Sequence, residues 1–221
     1  AKSSATLMES LRNSLFIGVV ATAIATVLGT TLALSMARSK FPGKKIVDSV
    51  LLLPMVIPEI TQGISLAIFF KIIFDYMQNS TGQNWLPGFG TIIIGHVAFN
   101  ISYVAIVVRA SIEGLSKHYE EAAYDLGANY WRAFWQVTFP LILPGIIGGA
   151  LLAFTLSLDD YLVTFYNKGV GSGTLPIYVY GMLKTSVSPE VNALSTMMLA
   201  VSTVLVGFSL WLQGRNGARA D

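Results

Sequence analysis

Five stretches of this chain run for roughly the thickness of a bilayer almost without charge, and nothing else in the sequence constrains the fold as strongly. Residues 13–37, 91–108, 141–158 and 191–213 hold no Asp, Glu, Lys or Arg, and residues 49–70 are interrupted only by Glu59. A hydrocarbon core of about 30 Å takes about 20 apolar residues as a helix, more than a buried helix of a small soluble domain uses. The strands of an outer-membrane barrel would instead alternate apolar with polar residues over about ten positions, and no such alternation is present. The expected fold is therefore all-α: a polytopic membrane protein with five spanning helices in a single transmembrane domain covering residues 1–221. Composition agrees, since 12% of the residues are charged, against about 25% in soluble domains.

Charge orients the chain. The first inter-helix loop carries Arg38, Lys40, Lys44 and Lys45, whereas residues 75–90 carry no Lys or Arg; the positive side is the cytoplasmic one. Residue 1 is then outside and the C-terminus inside. Lys117, Arg132, Arg215 and Arg219 follow that alternation, while Lys168 and Lys184 fall on the outer side. A net charge of +2 without a basic cluster argues against a nucleic-acid partner. The lack of cysteine excludes disulfides and thiolate metal sites. No cleavable signal peptide is expected at the start.

Two segments outside the apolar runs have their own patterning. In residues 167–190, Gly169, Gly171 and Gly173 precede a stretch with Tyr178 and Tyr180, residues suited to a membrane interface, so a short surface helix is expected there. Ser188, Pro189 and Glu190 then supply a cap, a first-position proline and a first-turn acid for the last span. In residues 113–140, Ser116 can cap a helix through Leu126 that Gly127 terminates, because glycine takes the left-handed conformation without strain. Asn129 can cap a second short helix whose Tyr130, Trp131, Phe134 and Trp135 form an aromatic face.

Glu121-Ala122-Ala123, then Gly127, then Val137-Thr138-Phe139-Pro140 resemble the E-A-A loop of ABC importer permeases. The resemblance implies that this loop docks into a groove of a separate cytoplasmic ATPase, with Glu121, Ala122, Ala123, Asp125 and Gly127 at the contact. The physics suits that role: small residues allow close approach, a carboxylate can meet a basic partner, and a glycine turn makes the helix project. Ser157-Leu158-Asp159-Asp160, Thr174-Leu175-Pro176 and Ser188 to Leu194 narrow the resemblance to the second permease subunit of the spermidine/putrescine branch. It implies a type I importer transmembrane domain in the bacterial inner membrane, working with a related permease subunit, two copies of an ABC ATPase and an extracytoplasmic solute-binding protein. ATP and Mg²⁺ would reside on the ATPase, and no cofactor or metal on this chain. The family has six spanning helices, and the one without a counterpart here is the first.

An ionisable side chain at membrane depth is a functional candidate, because its insertion costs about 3 kcal/mol. Glu59 follows Pro54 and Pro58, which break a helix, so it can open a half-helix whose dipole favours a carboxylate; a purely structural cap is the competing reading. Asp159 and Asp160 fall at a helix C-terminus, where the dipole opposes negative charge and compensation is required. A route for a chain of ammonium groups calls for carboxylates that attract without trapping, and Ser157 shares a face with Asp160. The alternative for the aspartates is a structural pair with Lys168 or Lys184. His96 is expected to hydrogen-bond between helices rather than bind metal. Lys71 is expected to snorkel, and Asn100 and Tyr103 are open between lining and packing.

No phosphate-cradling G-x-x-x-x-G-K-[ST] loop and no catalytic set is present, so the chain is not expected to be an enzyme. Half of an ion-coupled secondary transporter would also use broken helices and midplane carboxylates, but does not require the 113–140 loop. A permease for another small solute is a further alternative. A non-transporting scaffold leaves Glu59, Asp159 and Asp160 unexplained.

Overall fold

The computed structural model of the chain describes residues 2–38, 41–116, 118–185 and 189–217, and within them the architecture is all-helical. Lys40, Lys117, Ser188 and Arg219 lie outside the described residues. In chain order the helices are α1 (Lys2–Arg38), α2 (Lys44–Val56), α3 (Glu59–Thr81), α4 (Phe89–Glu113), α5 (His118–Asp125) and α6 (Tyr130–Ala133). A single π turn, Phe134–Thr138, leads into α7 (Phe139–Asp159), followed by α8 (Leu162–Asn167), α9 (Leu175–Thr185) and α10 (Pro189–Gly217). Among them, five spans are long and apolar enough to cross a membrane: Ala5–Arg38, Glu59–Thr81, Phe89–Glu113, Tyr130–Asp159 and Asn192–Leu212.

The second span departs from the sequence expectation of 49–70. The chain breaks at Ile57 and Pro58, both extended (ψ 129° and 135°), and the apolar span begins at Glu59 instead. Pro58 has no N–H to give and excludes the helical conformation from the residue before it. The Pro54 carbonyl thereby loses its i+4 donor, and Gln62 replaces it: Gln62 Nε2 donates to Pro54 O and to Ile57 O, each at 2.8 Å. Glu59 thus occupies the first turn of a helix, as expected, but Pro58 alone makes the break, since Pro54 lies inside α2. The following loop is also shorter than residues 75–90, because α3 continues to Thr81 before Gly82 turns it.

The core is α4, with α1 and α7 against it. Half of the apolar window of α4 is buried, against 6% in α10 and 11% in α3, which places those two at the periphery. Ala33, Val104, Val108 and Ala153 join the three central helices in one cluster. Small residues permit this packing, as between helices in lipid generally. A Cβ on Gly29 would stand 2.8 Å from the Val104 Cβ, so that crossing requires glycine.

The two ends are tied differently. At one end Asn13 Nδ2 donates to the carbonyls of Gly171 (3.1 Å) and Gly173 (2.9 Å), and the Leu175 N–H donates to Ser14 Oγ at 2.8 Å. These bonds pin the glycine-rich turn over α1 and seat α9, the short helix expected within 167–190, against α1 and α10 through Leu175 and Val179. At the basic end, Arg38 pairs with Glu120 and Arg109 with Asp48 and Glu113.

Candidate functional site

Glu59 and Asp159 open into one cleft of about 100 Å³, lined also by Gln62, Phe99, Tyr103 and one edge of Asp160. Three features of the chain bring the two acids there. The proline break starts α3 at Glu59; Gln62, three residues on, lies on the same side; and α7 ends at Asp159 because Asp160 turns extended (φ −63°, ψ 125°). Both Glu59 and Asp159 are exposed to the cleft. No ion pair joins Asp159 or Asp160 to Lys168 or Lys184, and Lys184 instead sits 5.1 Å over the Tyr180 ring.

The neighbouring aspartate has the opposite environment. Asp160 is 8% exposed, and its oxygens are occupied: Oδ1 accepts the Val163 N–H (3.2 Å), and Oδ2 accepts the Thr164 N–H and hydroxyl (2.8 Å each). It therefore caps α8, a short helix that the apolar sequence around it does not advertise. His96 Nε2 lies 3.1 Å from Asp160 Oδ2 and 2.9 Å from Thr164 Oγ1, while Nδ1 contacts Ser157 Oγ. A carboxylate has no proton to offer here, so Nε2 carries it. Ser157 is buried in this network and does not line the cleft. His96 bonds between helices, as its sequence context suggests, and the asset that sequence reading did not single out is Thr164, which a capping Asp four residues earlier could have flagged.

The second feature lies at the basic end. α5 projects there with Glu121, Ala122, Asp125 and Gly127 exposed and Ala123 turned inward at 8%. Its end is a full Schellman closure: Gly127 is left-handed (φ +83°), its N–H bonds Tyr124 O, and the Ala128 N–H bonds Ala123 O, each at 2.9 Å. Asn129 caps α6 by accepting from the Arg132 N–H at 2.9 Å. Trp131, Phe134, Trp135 and Phe139 pack behind it, Trp135 edge-on to Trp131 and Phe134 and tilted against Phe139 with centroids 4.9 Å apart. Glu120 is drawn inward: it pairs with Arg38 and accepts from the Thr138 hydroxyl at 2.6 Å, which fixes α5 to α1 and to the π turn. Between α5 and the π turn lies a hollow of about 410 Å³ bordered by Tyr119, Ala122, Leu126, Arg132 and Gln136. Among the described residues no three His, Cys, Asp or Glu side chains gather closely enough to hold a metal ion.

A bundle of apolar spans with acids facing an internal cleft and a braced helix projecting at the basic end has the fold of an ABC importer transmembrane domain. Residues 10–220 match the family described as "Binding-protein-dependent transport system inner membrane component", and the chain belongs to that family. It is 38% identical over 172 residues to the "Putrescine transport system permease protein PotI" of Escherichia coli (strain K12), a match covering 78% of this chain and 59% of that relative. It is 33% identical over 211 residues to the "Spermidine/putrescine transport system permease protein PotC" of Haemophilus influenzae, covering 96% and 78%. Among solved structures, that of "a bacterial ABC transporter involved in the import of the acidic polysaccharide alginate" superposes with a TM-score of 0.74 at 18% identity, covering 97% of this chain and 83% of the other. The last comparison concerns the fold alone.

Proposed function

We propose that this chain is a permease subunit of an ATP-driven importer for polyamines of the spermidine and putrescine type. The observation that carries the reading is the cleft that Glu59 and Asp159 share between the apolar spans, with no basic residue among its described lining. Carboxylates so placed attract an ammonium group and repel an anionic solute, and Phe99 and Tyr103 offer aromatic faces that suit a cation as it passes. The polyamine permeases it resembles support the same choice of solute.

On this reading the importer also contains a related permease subunit, two copies of an ABC ATPase holding ATP and Mg²⁺, and an extracytoplasmic solute-binding protein. Glu121, Ala122, Ala123, Asp125 and Gly127 form the face that the ATPase grips. The bracing of α5 through Glu120 supports that role, since a lever must be stiff at its root. The chain itself carries no reaction.

The test is labelled putrescine uptake by proteoliposomes that contain the assembled transporter. Uptake that requires ATP on the ATPase side is expected. Uptake proceeding equally well without ATP rules the reading out and favours the ion-coupled alternative.

A further inference from the structure

We propose that His96 is a positioning residue for cation passage, setting the separation of Asp159 from Glu59 by clamping the break between α7 and α8. The inference rests on the reading of the cleft as the cation route. His96 is 1% exposed, sits in the first third of the central helix α4, and reaches three sites at once: Ser157 in the last turn of α7, Asp160 at the break, and Thr164 in α8. A buried histidine with both ring nitrogens engaged holds its partners at fixed geometry, because leaving any of those polar groups unpaired is costly.

The clamp has a direct path to both cleft acids. Asp159 precedes Asp160, so the extended turn that His96 secures aims the Asp159 side chain into the cleft. On the other side, α8 continues the connection to α3: Asn167 Nδ2 donates to Gly63 O at 3.1 Å, one turn beyond Glu59. Gly95, beside His96, lets α4 approach α8 closely enough that a Cβ there would stand 2.8 Å from Val163 Cγ1. Asp159 and Glu59 are thus referenced to the same short helix, and His96 fixes that helix to the core. For a flexible chain of ammonium groups, the spacing of two carboxylates selects among chain lengths.

The prediction concerns selectivity rather than rate alone. In the assembled transporter, wild type and His96→Ala are compared for uptake of butane-1,4-diamine and pentane-1,5-diamine, with ATPase activity measured in parallel. His96→Ala is expected to lower uptake per ATP about tenfold, as misplacement of positioned groups does, and to move the ratio of the two diamines away from its wild-type value. His96→Gln, which keeps a donor toward Asp160, is expected to restore the ratio. Thr164→Val supplies the same readout if His96→Ala does not assemble. A proportional fall for both diamines, or no change, overturns the proposal. The double variant Glu59→Gln with Asp159→Asn separates the two claims: if it leaves uptake intact the cleft reading fails, whereas if it abolishes uptake while the His96 variants keep the wild-type ratio, only the role of His96 fails.

Discussion

Two adjacent acid pairs, Glu120–Glu121 at the projecting helix and Asp159–Asp160 at the cleft, are split in the same way and secured by different means. In each pair one carboxylate is tied into the fold and its neighbour is displayed. Successive helical positions point about 100° apart, which separates Glu120 from Glu121, whereas Asp160 diverges from Asp159 because its backbone turns extended. Glu120 is anchored by Arg38, with side chains 29% and 25% exposed, while Asp160, only 8% exposed, is anchored by His96, the Thr164 hydroxyl and two backbone N–H groups. On the proposed function, the displayed acid of each pair is the one that meets a partner or solute, and the tied acid decides where it points. The anchor inside the bundle is the more costly to break, because its partners are buried.

That contrast can be broken by single substitutions, read as thermal unfolding of the detergent-solubilised protein and as uptake by the assembled transporter. The largest loss of stability is expected for Asp160→Ala, about 3 kcal/mol, since it uncaps α8 and leaves the buried Val163 and Thr164 N–H groups without their acceptor. Gly127→Ala follows at about 1 kcal/mol, because a side chain is forced into the left-handed region that closes α5, and its effect on ATP-driven uptake should exceed its effect on stability. Glu120→Gln should cost less than about 1 kcal/mol, as befits a partly exposed ion pair. Asp159→Asn should leave stability unchanged within about 0.5 kcal/mol while reducing uptake; the reverse pattern would dissolve the distinction between tied and displayed acids.

Much of this arrangement was legible in the sequence because it is local. The uncharged runs announced the spans, Gly127 and Asn129 announced the end of α5 and the start of α6, and Pro189 announced α10. Pro58 announced the break before Glu59, whereas Pro54 is carried inside α2, and an apolar run that continues across a break does not reveal which side holds the long span, so the expected second span lies too far toward the N-terminus. What could not be read is long-range. Asp160 as a cap held by His96, and Glu120 as the brace to Arg38, join residues 64 and 82 positions apart, and no periodicity encodes such a partner. The helical face expected for Ser157 and Asp160 ends before Asp160, which is extended, and both side chains turn toward His96 and the core.

The claim that a braced helix on this bundle is gripped by an ATPase can be tested directly, because the chain contains no cysteine. A single cysteine placed at Glu121, cross-linked in the assembled transporter with and without ATP, should capture the ATPase subunit in a nucleotide-dependent yield, whereas one placed at Glu120 should capture little. If the Glu121 position reacts freely with a water-soluble thiol reagent and captures no ATPase in any nucleotide state, α5 is not the point where the driving force enters.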